Sequence, residues 1–237
     1  MCSFLDLLVR RYLGKILKIY KISSLTSTEI EKKYNVQIVE PIMGKDLSSV
    51  EYFNLVLPEY NSTGKLLSPS ELGCSLSHIA IYEEIVKNAK PAIILEEDIN
   101  VENEEMDKAI SFCKETSLDF VHLGWHPQVT NGIFFRGKEH GNGVYKIEPT
   151  HNFYGTYAYY LTPALAQELL KYQSSSIKRA DAWVRFFMWS KRIPYFKPIF
   201  THPPLRSDIH SERLGVSSKV YNVSFQNLVY FFYKLLK

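Results

Sequence analysis

Three consecutive acidic residues, Glu96-Glu97-Asp98, follow the apolar run 92–95. Adjacent carboxylates repel one another and are costly to desolvate, so a bound cation would explain their position after a buried segment. Alternation along an extended chain predicts Glu96 and Asp98 on one side and Glu97 on the other. Two carboxylates on one side suit Mg²⁺ or Mn²⁺, with phosphate and water as further ligands. The alternative is an acidic surface turn.

The elements around this cluster predict an α/β fold. Residues 92–95 indicate a strand buried on both faces, and a capping box at Ser68-Pro69-Ser70-Glu71 begins a helix that runs to about residue 88. Strands are further predicted at 19–24, 36–40, 118–123, 156–161 and 195–200, and helices at 28–31, 106–113, 162–172 and 180–192. Residues 45–67 are predicted as loop with short elements, and residues 124–154 as loops around a hairpin. Because strands alternate with helices, we expect a mostly parallel central sheet, with ligands at the carboxyl ends of its strands.

The two chain ends differ in composition from the central part. The sequence predicts a basic amphipathic helix over residues 1–18 and an apolar, aromatic helix over residues 216–237. Residues 19–215, between them, would form the main domain. Each terminal helix is expected either at a membrane surface or packed against protein. We expect no signal peptide and no membrane-spanning segment.

Charge and cysteine usage limit the class of protein. The formal net charge of +3 is too small to suggest a nucleic-acid partner by itself. Cys2, Cys74 and Cys113 are an odd number without metal-type spacing among themselves, and they are interpreted as reduced thiols in a cytoplasmic protein.

Three motifs together resemble glycosyltransferase family 25, the lipopolysaccharide-biosynthesis family that also includes collagen galactosyltransferase domains. They are, in chain order, ELGCSLSHIAIYEEIV, AIILEEDI and GTYAYYLTPALAQELL. The resemblance implies a GT-A-like fold, a UDP-sugar donor (often UDP-galactose), Mn²⁺ or Mg²⁺, and inversion at the anomeric carbon. Three positions depart from the family pattern: Glu97 replaces the middle Asp of E-D-D, Ser23-Ser24-Leu25 replaces an Asn-Leu stretch, and Tyr157 stands where His is frequent.

The residues and the resemblance together suggest roles for individual positions. Glu96 and Asp98 would hold the metal, with Glu97 beside them in the cofactor site. Gly155 and Thr156 would bring the backbone close to the sugar, with the opening of a strand as the alternative, and Arg206 would contact the diphosphate, with a solvated surface position as the alternative. Asp181 is the candidate catalytic base, with a role in the first turn or cap of a helix as the alternative. His78 is the second catalytic candidate, with a buried structural histidine as the alternative.

The expected function is transfer of a hexose, most simply galactose, from a UDP-sugar to a lipooligosaccharide or other glycan acceptor. The acceptor would be a glycan or lipid-linked saccharide at the inner face of the cytoplasmic membrane, where the terminal helices would make peripheral contact. Two alternatives stay open. One is a nucleotidyltransferase that uses the same metal site, and the other is a catalytically degenerate, membrane-associated scaffold.

Overall fold

A computed structural model describes residues 16–99, 101–125, 138–148 and 153–201. The strands are β1 (Lys18–Ile22), β2 (Gln37–Val39), β3 (Ala92–Glu96), β4 (Phe120–Trp125), β5 (Lys138–Gly141), β6 (Val144–Lys146), β7 (Ala158–Leu161) and β8 (Tyr195–Thr201). The helices are α1 (Glu29–Lys33), α2 (Ser49–Thr63), α3 (Pro69–Asn88), α4 (Asn103–Glu115), α5 (Pro163–Ser174) and α6 (Trp183–Ser190), with a 3-10 turn at Gly44–Asp46.

The eight strands form one mixed sheet in the order β2-β1-β3-β7-β4-β8-β6-β5. Strand β1 pairs in parallel with β2 and β3, and β4 pairs in parallel with β8. Strand β7 lies antiparallel between β3 and β4, and the β5–β6 hairpin adds antiparallel pairs at one edge. The prediction of an α/β fold is confirmed, but the prediction of a mostly parallel sheet is wrong. The β5–β6 hairpin lies between β4 and β7 along the chain, and β7 runs antiparallel to both of its neighbours in the sheet.

Helices cover both faces of the sheet, and alternation along the strands builds a core on each. Ile94 and Tyr159 pack in the core under α3, α5 and α6. Ile93, Leu95 and Tyr160 pack in the core under α4. Residues 92–95 are fully buried, as expected for a strand with both faces covered.

Helix α2 is the clearest element that the sequence interpretation missed. Its start carries a capping box in which Ser48 and Glu51 bond each other's backbone N–H groups. Its apolar side chains do not mark a buried face, since Val50 and Phe53 are exposed while Glu59 is buried. Pro58 lies inside the helix, which further weakens the helical pattern.

The hairpin predicted within 124–154 is present as β5 and β6. Asn142 and Gly143 at its turn both have positive φ, as a two-residue type I′ turn requires. Strand β1 begins at Lys18, so the helix predicted over 1–18 is wrong for its last residues. Residues 1–15 lie outside the described part of the chain. The helix predicted at 216–237 lies outside it as well. Within the described part of the chain, every helix falls short of the length and apolarity that crossing a bilayer requires.

Candidate functional site

The Glu96 carboxylate lies at the carboxyl end of β3, where it meets α3 and the segment before β7. Its Oε1 atom accepts a hydrogen bond from Thr156 Oγ1 at 2.5 Å. The same oxygen lies 3.2 Å from His78 Nε2 and 3.8 Å from Cys74 Sγ. The Glu96 side chain is 24% exposed, so the carboxylate contacts buried groups and can also be reached from solvent. We call Glu96, Cys74, His78 and Thr156 the Glu96 cluster.

A chain of buried polar groups extends from this cluster into the core. Cys74 and His78 are four residues apart on α3, which places both on the same helix face. His78 Nδ1 lies 2.7 Å from Tyr159 Oη, and Tyr159 Oη lies 3.0 Å from Tyr82 Oη. Burial raises the pKa of both tyrosines, so both stay neutral hydroxyls that can donate or accept. His78 is therefore held from both ring nitrogens, which orients its Nε2 toward Glu96.

Glu97 faces the end of β1 instead. Its Oε2 atom accepts hydrogen bonds from the Ser24 backbone N–H at 2.7 Å, the Ser23 hydroxyl at 3.0 Å and the Ser24 hydroxyl at 3.1 Å. The bond from the Ser24 backbone N–H, aided by the two hydroxyls, lowers the pKa of Glu97. Glu97 thus fastens the loop after β1 to the turn after β3. Glu96 and Glu97 thus have different partners, with Glu96 facing α3 and the segment before β7, and Glu97 facing the loop after β1.

Tyr157 shows that further carboxylates converge on the same region. Burial raises the pKa of its hydroxyl, and the negative charges of Glu96, Asp181 and Asp98 raise it further. The pKa of the Cys74 thiol is raised by burial and then by the charges of Glu96 and Asp181. Asp98 lies half-buried in the turn after β3. Carboxylates from β3, its following turn and the segment before α6 therefore lie within electrostatic reach of the Tyr157 hydroxyl.

Two glycines seat the Tyr157 ring. A Cβ atom on Gly155 would lie 2.1 Å from Tyr157 Cε1, and one on Gly124 would lie 2.4 Å from Tyr157 Cδ2. Gly155 also has a φ of +88°, which L side chains rarely adopt. Its carbonyl oxygen accepts a hydrogen bond from Trp183 Nε1 at 2.7 Å and lies 3.1 Å from His122 Nε2. The motif glycine is thus required for close packing beside Thr156.

His122 is a buried neutral group behind this segment. Burial lowers its pKa to about 4, against weaker opposing effects from the Gly155 and Gly124 carbonyls. At neutral pH one ring nitrogen donates to a carbonyl oxygen, because neutral imidazole has a single N–H. His122 therefore lies between the carbonyl oxygens of Gly124 and Gly155, with one ring nitrogen 3.1 Å from each.

Asp181 precedes α6 and forms an ion pair with Arg179, whose Nε lies 3.4 Å from Asp181 Oδ1. The N-cap of α6 is Ala182, and no side chain caps it. A capping role for Asp181 is therefore not observed. The Arg179 side chain is 37% exposed and also approaches Glu71 on α3 at 4.0 Å, so it lies at the rim of the site.

The carboxylates and the guanidinium of this region are of the types that bind hard divalent cations and anionic ligands. Carboxylate oxygens of Glu96 and Asp98 are the ligand type that Mg²⁺ and Mn²⁺ prefer. The Arg179 guanidinium presents planar donors suited to phosphate oxygens. Glu97 is already occupied by three hydrogen bonds from the β1 loop.

The structure brings most of the predicted residues together. Glu96, His78 and Thr156 are in contact, Gly155 adjoins them, and Asp181 lies within electrostatic reach. Arg206 lies outside the described residues. The sequence interpretation missed the parts played by Cys74, Arg179 and His122. The i, i+4 spacing of Cys74 and His78 was a usable signal, whereas nothing in the sequence distinguishes Arg179 from a surface arginine.

Comparison with known proteins adds an independent finding. The family model described as Glycosyltransferase family 25 (LPS biosynthesis protein) matches residues 21–184. This range includes every described residue of the site from Ser23 to Asp181.

Individual relatives match over shorter stretches. Procollagen galactosyltransferase 2 of Mus musculus and of Homo sapiens is each 28% identical over 104 residues, covering 41% of this chain and 16% of the relative. A Rattus norvegicus protein named "Probable inactive glycosyltransferase 25 family member 3" is 29% identical over 114 residues, covering 44% of this chain and 19% of that protein. The matches thus span less than a fifth of the length of these relatives.

Proposed function

The chain belongs to glycosyltransferase family 25, and we propose that it is an active, metal-dependent, inverting enzyme that transfers a hexose from a UDP-sugar to a glycan acceptor. Galactose is the first candidate, because two relatives carry the name procollagen galactosyltransferase. Lipooligosaccharide or another lipid-linked saccharide is the proposed acceptor, in keeping with the family's description. A GT-A-like arrangement, with the donor at the carboxyl ends of β1 and β3, is part of this proposal.

The observation that carries the proposal is the convergence of carboxylates at the end of β3. Glu96, Asp98 and Asp181 all raise the pKa of Tyr157, so their charges act on one small region. Concentrated negative charge is costly to fold, and a bound cation would offset that cost. The position also matches where open α/β sheets bind ligands.

Glu96 and Asp98 would hold Mn²⁺ or Mg²⁺, which when bound would offset the negative charge of the leaving UDP. His78 and Thr156 would keep the Glu96 carboxylate in position through their contacts with Oε1. Arg179 would contact the diphosphate at the rim. Glu97 would support the site indirectly, by holding the loop after β1.

Asp181 is the proposed base. It would accept the proton of the acceptor hydroxyl while that oxygen attacks the anomeric carbon from the side opposite UDP. The new glycosidic bond forms as the bond between the anomeric carbon and UDP breaks, which inverts the configuration. Arg179 would keep the Asp181 carboxylate oriented in the free enzyme.

The deciding experiment measures UDP release from a panel of UDP-sugars, with and without Mn²⁺. Turnover that requires metal and falls in Glu96→Gln is the expected result. Release of pyrophosphate instead of UDP would indicate the nucleotidyltransferase. Absence of both turnover and metal-dependent nucleotide-sugar binding would indicate the inactive scaffold.

Peripheral attachment at the inner face of the cytoplasmic membrane is the remaining part of the proposal. It is supported by the basic residues within 1–18 and the aromatic residues within 219–237. Flotation with anionic vesicles tests it: deletion of 219–237 should reduce binding, and unchanged binding would refute a role for that segment.

A further inference from the structure

Three different metal-ligand types meet in the Glu96 cluster. The Cys74 sulfur, a His78 ring nitrogen and a Glu96 carboxylate oxygen all lie within 4.8 Å of one another. Asp98 is not part of this group. The composition differs from the all-oxygen set that suits Mn²⁺ or Mg²⁺, because thiolate and imidazole favour softer ions such as Zn²⁺.

Two of the three separations between ligand atoms are near those of tetrahedral coordination, and the third, between Cys74 and His78, is within 4.8 Å. Zinc bonds of about 2.0–2.3 Å at tetrahedral angles place neighbouring ligand atoms roughly 3.3–3.6 Å apart. Here Glu96 Oε1 lies 3.2 Å from His78 Nε2 and 3.8 Å from Cys74 Sγ. A shift of a few tenths of an ångström would therefore bring both of these separations to the tetrahedral values.

Surrounding groups already hold the ligands as a zinc site requires. Histidines that bind metal through one ring nitrogen are held through the other by a hydrogen bond, and Tyr159 Oη occupies that position at His78 Nδ1. The Thr156 hydroxyl steadies the Glu96 carboxylate. Cys74 and Glu96 are half-buried, so an ion has access from the surface.

We propose that Cys74, His78 and Glu96 form a binding site for a soft divalent cation of the zinc class. One thiolate, one carboxylate and a neutral imidazole balance the charge of Zn²⁺, and binding releases the Cys74 thiol proton to solvent. The fourth position is open to water. Because Glu96 is shared, Zn²⁺ here would compete with the hard cation and inhibit transfer, a consequence that rests on the proposed function.

Cobalt titration tests the site without any need for sugar transfer. Co²⁺ added to the reduced, metal-free full chain should give a thiolate-to-cobalt charge-transfer band and the strong visible bands of tetrahedral cobalt. Both should saturate at one equivalent and disappear when Zn²⁺ is added. The double variant Cys2→Ser/Cys113→Ala, in which Cys74 is the remaining cysteine, should keep the full signal.

Two variants complete the design. Cys74→Ser should lose the charge-transfer band while remaining folded by circular dichroism, and Tyr159→Phe should weaken Co²⁺ binding about tenfold or more. A folded wild-type protein without the band, or a band that persists in folded Cys74→Ser, would overturn the proposal. If Cys74→Ser does not fold, the Cys74-only protein decides by the presence or absence of the band. Failure of the proposed transferase activity would leave these spectra unchanged.

Discussion

Glu59 and Glu96 are both carboxylates in contact with the protein interior, but their surroundings differ in kind. Glu59 on α2 is 4% exposed, and it forms an ion pair with Arg185 of α6 and accepts a hydrogen bond from Ser176 Oγ at 2.8 Å. The described contacts of Glu96 come from a hydroxyl, an imidazole and a thiol. Arginine keeps its charge at every physiological pH and cannot bind a metal, whereas a neutral imidazole binds a metal through its free nitrogen and a thiol binds after releasing its proton to solvent.

This difference separates a carboxylate that holds the fold together from one that is suited to a ligand. The Glu59–Arg185 pair joins segments 126 residues apart and locks α2 to α6. The Glu96 cluster instead presents groups that can exchange a proton for a cation. The four predictions that follow test this contrast, from the largest expected effect to the smallest.

Glu96→Gln should lower metal-dependent UDP release by about 10²–10³-fold, because a metal ligand at the site of charge development is lost. Glu97→Gln is the matched control, since it changes the neighbouring residue in the same way. It should lower release by less than about tenfold, because Glu97 only fastens the β1 loop. Equal losses in the two variants would contradict the distinct roles.

His122 predicts a pH dependence of stability on the Glu96 side of the molecule. Its folded-state pKa of about 4 lies below the ordinary value of 6.5, so the unfolded chain gains a proton over this range while the folded chain does not. The free energy of unfolding should fall by about 3 kcal/mol from this group as pH decreases from 6.5 to 4. Urea unfolding across this range should show a smaller fall in His122→Gln, and an unchanged profile would count against the buried neutral histidine.

Gly155→Ala tests the crowding around Tyr157 against a glycine with open surroundings. Both Gly155 and Gly64 have positive φ, but a Cβ on Gly64 has no neighbour within 4 Å. Gly64→Ala should lower the free energy of unfolding by about 1 kcal/mol through backbone strain alone. Gly155→Ala should lower it by about 2–3 kcal/mol, because the Tyr157 ring must also move. Thermal unfolding measures both, and similar losses would refute the close packing.

Arg185→Met should lower the stability of the protein without changing its rate of catalysis. The substitution leaves the Glu59 carboxylate buried without its guanidinium partner, so the free energy of unfolding should fall by about 2 kcal/mol. The loss is smaller than for a fully buried pair because the Arg185 side chain is about a third exposed. UDP release per folded molecule should stay within about twofold of wild type, since a structural ion pair contributes to stability and not to the reaction. A large loss of turnover in folded protein would remove the contrast with Glu96.

Local sequence signals predicted the elements that carry the site. The capping box at Ser68 and Glu71 marked the start of α3, and the apolar run marked β3 to within one residue. Such features depend on neighbours in the chain, so they can be recognised without the fold. Helix α2 was not predicted because its exposed face carries apolar side chains and its buried face includes Glu59.

The amino-acid sequence alone determined the α/β class and the family motifs, because these follow from residue order and local periodicity. Only the tertiary structure decided that β7 runs antiparallel beside β3, and thereby that Thr156 and Tyr159 reach Glu96 and His78. It also decided that Cys74 faces a carboxylate. Contacts between residues about 20 to 80 positions apart depend on how the chain returns through the sheet, and no local pattern records that path.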